Sequence, residues 1–102
     1  MKINLKNDKY RRTRGGHSRL LDVSCAKCGA HLFYYQKDGP GILKRTYLDR
    51  IVGSKIGKSN LVCPKCKFLL GVSIIYKKEN RQAIRLFEGA VSKKITKSSE
   101  IN

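Results

Sequence analysis

The sequence predicts a small, mainly β domain built around a metal ion, and three observations carry that expectation. The 102-residue chain shows no long stripe of apolar residues at helical spacing. Its strongest apolar runs, HLFYYQ from His31 to Gln36 and LLGVSIIY from Leu69 to Tyr76, are rich in the aromatic and β-branched residues that favour strands. Two Cys-x-x-Cys turns, Cys25–Cys28 and Cys63–Cys66, lie just ahead of those two runs.

Taken in order, residues 1–24 read as a basic arm, with seven Lys or Arg against Asp8 and Asp22 and no apolar periodicity. Such a segment is expected to stay flexible until an anion orders it, with Leu20, Leu21 and Val23 opening the folded part. Residues 25–95 form the predicted metal-binding β domain. Its first strand, His31 to Gln36, runs into a turn at Asp38-Gly39-Pro40-Gly41, whose glycines permit positive φ. Ile42 to Val52 mixes apolar and basic residues and leaves strand or short helix open. Gly53, Gly57 and Ser59-Asn60 mark a loop. The next strand, Leu69 to Tyr76, places Val72, Ile74 and Tyr76 on one face. A turn at Lys77 to Asn80 leads into a strand ending near Phe87. Gly89 breaks that run, Ala90 to Ile95 makes a last strand, and residues 96–102 read as a frayed tail.

A chain of this size has a modest core and gains from a cross-link. It opens on Lys, Asn and Arg with no apolar leader, and no run approaches the roughly 18 apolar residues of a membrane helix. It therefore reads as soluble and cytoplasmic, with no membrane partner. Thiols stay reduced there, and paired cysteines more often hold metal than form disulfides. One structural Zn2+ on Cys25, Cys28, Cys63 and Cys66 is the predicted cofactor: each turn supplies one edge of a tetrahedron. Iron uses the same four sulfurs. Gly29 suits the exit of the first turn and Pro64 the start of the second, while Lys27, Lys65 and Lys67 offset the thiolate charge. Structural zinc in small domains contributes about 10–16 kcal/mol of apparent binding free energy. A whole domain is stable by about 5–15 kcal/mol, so loss of the metal should unfold the body. Redox chemistry is disfavoured, because neither pair is followed by a helical pattern.

No enzyme site emerges. Four cysteines leave no open metal position for water, the carboxylates are scattered, and there is no phosphate-binding glycine loop or sign of a small-molecule substrate. His17 and His31 have no evident acid or nucleophile partner, although His31, three residues beyond Cys28, could replace a thiolate in some state.

The formal charge of +16 is large for the length, and four thiolates with one divalent cation change it by only two units. A polyanionic partner is the simplest account, and RNA is the expected one. Arg11, Arg12, Arg14 and Arg19 in the arm, with Lys44, Arg45 and Arg50 on the body, are the candidate phosphate contacts. Tyr34, Tyr35 or Tyr47 could stack on unpaired bases, though packing within the sheets is the commoner role for at least two of them.

Cys25-x-x-Cys28-Gly29-x-x-Leu32 and Cys63-x-x-Cys66-x-x-Leu69-Leu70-Gly71 are separated by a longer gap than in most zinc ribbons. With the hairpin ending in the Phe87 to Ile95 strand, they resemble the β-tent proteins over about Asp22 to Ile95. That group includes yippee proteins, Rab-binding exchange-factor-like chaperones and the RNA-sensing C-terminal domains of antiviral helicases. Yippee proteins carry Trp after the glycine that matches Gly71; here the residue is Val72. The resemblance implies two β-sheets meeting at zinc, and no single function, since its members bind proteins, small molecules or RNA. In general character the chain is also similar to small, lysine-rich, zinc-bearing ribosomal proteins. Two functions follow as expectations: a zinc-stabilised RNA-binding protein seated on a ribosome or another large RNA, or a β-tent protein-interaction adaptor with no nucleic-acid partner.

Overall fold

The computed structural model describes residues 5–6, 8–39, 41–53 and 59–96. A short helix, α1 (Lys9–Thr13), precedes strands β1 (Ser18–Cys25), β2 (His31–Asp38), β3 (Arg45–Tyr47), β4 (Ile51–Val52), β5 (Leu61–Val62), β6 (Leu69–Tyr76), β7 (Arg81–Leu86) and β8 (Val91–Thr96). They form two antiparallel sheets, ordered β4-β2-β1-β8 and β3-β7-β6-β5. The mainly β expectation is thus met.

Alternation explains the core. Leu21 and Val23 on β1 stand opposite Tyr35 and Phe33 on β2, so large apolar pairs share one face of the first sheet. Leu70 on β6 and Ile84 on β7 meet them from the second sheet, joined by Leu61 and Leu43. Leu20 points the other way and packs with Leu5, Tyr34 and Val52. At Gly71 an added Cβ would lie 2.7 Å from the Arg85 carbonyl oxygen and 2.8 Å from Ile84 Cγ2, so only glycine allows β6 and β7 this approach.

The segment Ile42 to Val52, ambiguous by pattern, links the sheets. β3 pairs with β7 in one sheet, a single 3-10 turn at Leu48–Arg50 follows, and β4 pairs with β2 in the other. The buried Tyr35 hydroxyl accepts from the Tyr47 amide at 2.9 Å and donates to the Arg45 carbonyl at 3.5 Å, fastening the crossover.

The arm expected over residues 1–24 contributes regular structure well before its predicted end. β1 begins at Ser18, with Ser18 and Arg19 already paired with Asp38 and Lys37, and it is an inner strand because β2 and β8 flank it. Asp8 caps α1, accepting from the amides of Tyr10 and Arg11. Thr96, assigned to the tail, belongs to β8; residues 97–102 lie outside the described residues.

Asp8 also reaches the body. Its Oδ1 is 2.5 Å from Arg50 Nη2, while Arg50 Nε donates to Asp38 Oδ2 at 2.9 Å. The Arg50 side chain is 1% exposed and that of Asp38 4%. Beside this pair, Arg81 binds Asp49 at 2.8 Å and Glu79 at 3.3 Å, with its guanidinium between the rings of Tyr10 and Tyr47 at 3.9 and 3.8 Å. Arg14 completes the network on Glu79 at 2.6 Å. Hydrogen bonding from Arg50 holds the Asp8 carboxyl at about 2, and burial of Asp38 is outweighed by Ser18, Gln36 and Arg50, which keep it below the ordinary carboxylate value.

Removing one partner of a buried ion pair leaves an uncompensated charge, which costs about 3–5 kcal/mol. We expect that loss for Arg50→Met in urea unfolding of the metal-loaded chain, with partial recovery in Arg50→Met/Asp38→Asn. A cost below about 1 kcal/mol for the single change would refute the burial argument. Asp8 sets a pH signature. Its folded value is depressed from 3.8 to about 2, so the unfolded chain takes up the proton first as pH falls. Its stabilising effect is complete above 3.8 and disappears toward 2. The stability difference between the parent chain and Asp8→Asn, measured by thermal melts, should therefore narrow over that interval and stay constant at neutral pH.

Candidate metal centre

The two cysteine turns have the same backbone construction. In the first, the Cys25 amide donates to the Ala30 carbonyl at 2.9 Å and the Gly29 amide to the Cys25 carbonyl at 2.8 Å. In the second, the Cys63 amide donates to Phe68 and the Lys67 amide to Cys63, both at 2.9 Å. Gly29 and Lys67 occupy equivalent positions, each with positive φ, 79° and 65°. Glycine tolerates this without cost, whereas at Lys67 the surrounding bonds must impose it. The Lys67 ammonium donates to the Pro64 carbonyl at 2.9 Å and closes that turn from outside.

Chain topology brings the turns together. Cys25 ends β1 in one sheet, and Cys63 follows β5 at the edge of the other. The four Sγ atoms lie within 4.8 Å of one another, with Cys25 to Cys66 at 3.8 Å and Cys28 to Cys63 at 3.5 Å. A tetrahedral ion bound at about 2.3 Å from each sulfur requires sulfur–sulfur edges of about 3.8 Å. The cluster therefore fits one metal ion. Cys25 and Cys63 are buried, Cys28 and Cys66 half-buried.

Thiol acidity follows the backbone. The Cys28 and Lys27 amides pull the Cys25 thiol down, and those of Cys66 and Lys65 pull Cys63 to about 6. The Phe68 amide favours a Cys66 thiolate, but burial and the three neighbouring thiols outweigh it and push Cys66 up to about 11. Four sulfurs this close cannot all ionise without a cation among them, which is the condition a metal satisfies. With every corner taken by sulfur, the ion would serve structure.

His31 is not part of this cluster. Its Nδ1 lies 2.7 Å from Asp22 Oδ1 and its ring 4.6 Å from that of Tyr34, so the sequence missed an acidic partner for it.

The predicted phosphate contacts divide. Arg50 is a correction: it is buried among Asp8, Asp38 and Asp49 and cannot reach an external anion. Arg14 is committed to Glu79 and to the Tyr47 hydroxyl. Arg11 is half-buried and donates to the Gly16 carbonyl, whereas Arg12, Arg19 and Lys44 are exposed. Arg45 lies with its guanidinium 4.0 Å from the Tyr76 ring. Of the tyrosines, Tyr35 and Tyr47 are buried and Tyr34 is half-buried, so packing prevails for two of the three. Half-buried Lys37 and exposed Lys93, not selected from sequence, line a cleft together with Arg19. Their strand partners could be found only from the register.

Among the described residues no helix is long and apolar enough to cross a membrane. Compared with models of known families, with curated proteins and with solved structures, the chain finds no match.

If the thiolate cluster holds the sheets together, chelation of the purified, reduced protein should abolish its β-type circular dichroism. Elemental analysis should give about one metal ion per chain. Cys66→Ser should lose the ion at lower chelator concentration than the parent chain. Retention of the fold after complete metal removal would show that the cluster is dispensable.

Proposed function

We propose that this chain is a non-enzymatic RNA-binding protein, held folded by one structural Zn2+ on Cys25, Cys28, Cys63 and Cys66 in the manner of β-tent proteins. Zinc is preferred to iron because a closed four-thiolate site is a common form of structural zinc, which needs no redox role. Arg12, Arg19, Lys44 and Arg45 are the proposed phosphate contacts retained from the sequence. A ribosome or another large RNA offers the density of phosphates that this charge would neutralise.

The observation that carries the reading is where the carboxylates go. The chain has only seven Asp and Glu. Asp8, Asp38, Asp49 and Glu79 are turned onto Arg14, Arg50 and Arg81, and Asp22 onto His31. Internal pairing thus occupies five of the seven acids, Asp38 and Glu79 largely out of solvent, and leaves the exposed lysines and arginines in large excess over unpaired carboxylates among the described residues. That arrangement favours a polyanion over a protein surface of mixed charge.

A second reading, the protein-interaction adaptor, draws on Val62, Phe68, Leu69 and Phe87, apolar side chains exposed near the second cysteine turn. The readings part on nuclease treatment: complexes that persist after RNA digestion belong to the adaptor.

For RNA binding, the logarithm of affinity should fall linearly with the logarithm of salt concentration. The slope should be about −0.7 for each phosphate contact on a single strand, and steeper on a duplex. Fluorescence anisotropy with labelled structured RNA measures it. An affinity that barely changes between low and moderate salt would remove the phosphate-driven reading.

A further inference from the structure

Beside the turn that follows β2, two cavities share a wall. One, of about 320 Å³, is bordered by Arg14, Lys37, Lys44 and Arg45 over a floor that includes Leu43 and Tyr47. The other, of about 280 Å³, is bordered by Arg19, Lys37 and Lys93. Lys37 and Gly39 belong to both, so the two form adjoining lobes of one cleft. We infer that this cleft receives the sugar–phosphate backbone of an unpaired RNA strand, with Lys37 between successive phosphates and Arg19 with Lys93, and Lys44 with Arg45, on either side.

This inference rests on the RNA-binding reading and adds the place and the state of the RNA. Charge is the first argument. The lining holds one carboxylate, Asp38, which is buried and already accepts from Arg50, Ser18 and Gln36. Lys37 has no carboxylate bound to it among the described residues; its ammonium donates to the Gly39 carbonyl at 2.9 Å. Burial, and then Arg19, Lys93 and Arg14, hold its pKa below the ordinary lysine value. Cations that outnumber the carboxylates beside them repel one another, and an anion seated among them relieves that repulsion.

Register and shape are the second argument. Arg19 on β1 stands opposite Lys37 on β2. Lys93 lies on β8, the other neighbour of β1, paired with Val23 four residues along from Arg19. Three adjacent strands thus carry cations to one border of the cleft. Each lobe falls near or within the size of a small-ligand site, roughly 300–1,000 Å³. A single nucleotide's backbone can sink into such a hollow. A duplex, with both backbones wound on a stiff helix, can only lie across its mouth. The exposed side chains of Ile42 and Ile95 border the two lobes and offer apolar surface to a splayed base or sugar.

The test uses the full metal-loaded chain and fluorescence anisotropy with a labelled unpaired oligouridine and with a blunt RNA duplex. Arg19→Gln/Lys93→Gln and Lys37→Gln are compared with Lys78→Gln/Lys94→Gln, which removes exposed cations that border neither lobe. The Arg19/Lys93 variant should weaken oligouridine binding about tenfold and make the salt slope shallower by about 1.4, two contacts' worth. Lys37→Gln should act in the same direction. The control pair should have a clearly smaller effect, and duplex binding should suffer no more from the cleft variants than from the control. Circular dichroism confirms that each variant is folded. Equal losses for cleft and control variants would overturn the cleft while leaving RNA binding intact. Equal losses on duplex and single strand would overturn the preference for unpaired RNA. No binding of either RNA by the parent chain would remove the RNA-binding reading and this inference together.

Discussion

Cys25 ends an inner strand of one sheet, and Cys63 lies just past the short edge strand of the other, so the thiolate cluster is where the two sheets are tied. β5 is two residues long and pairs irregularly with β6; its own hydrogen bonds could not fix the position of the second turn. Four sulfurs within 4.8 Å of one another do fix it, provided that a cation offsets their charge. The core between the sheets is small, and its largest fully buried side chains include an arginine as well as Phe33. In a domain of this size a metal ion held there would act on the same interface as the apolar core, each setting the sheet spacing that the other needs.

At the far end of β1 and β2 the sheets are joined by charge instead. Arg50, at the end of the 3-10 turn, finds Asp38 on β2 and Asp8 ahead of α1. Arg81 on the second sheet finds Asp49 within the turn. Burying these charges is costly unless each is matched, and matching consumes most of the acidic residues the chain has. The basic exterior is therefore a consequence of internal structure as well as of composition. Pairing leaves the net charge unchanged, but it decides which cations stand at the surface without a carboxylate beside them.

The sequence disclosed what depends on short range. Both cysteine turns, the strand His31 to Gln36 and the β6–β7 hairpin with its turn at Lys77 to Asn80 were legible, because propensity, turn residues and spacing agree there. Ile42 to Val52 stayed ambiguous for a physical reason: it is a crossover of two very short strands about a 3-10 turn, and neither period lasts long enough to register. The network around Arg50 was illegible because its partners lie 12 and 42 positions away. An arginine in a basic stretch looks exposed until a distant carboxylate is brought to it. The order of residues 8–19 was illegible likewise. Asp8 has little meaning locally beyond a helix cap, and Ser18 to Cys25 becomes an inner strand only through pairing with β2 and β8.

The same distinction governs the basic side chains. Sequence ranks Arg14, Arg19 and Arg50 alike, since all three sit among other cations. Tertiary structure separates them by what each already holds: Arg50 two carboxylates at hydrogen-bonding distance, Arg14 one, Arg19 none among the described residues. A guanidinium already bonded to buried carboxylates must break those bonds to meet a phosphate, and it leaves a buried anion unpaired when it does. An exposed one gives up only water. Selectivity for an external anion therefore belongs to the cations that folding leaves unmatched. In this chain β1, β2 and β8 bring three of them, Arg19, Lys37 and Lys93, to one border.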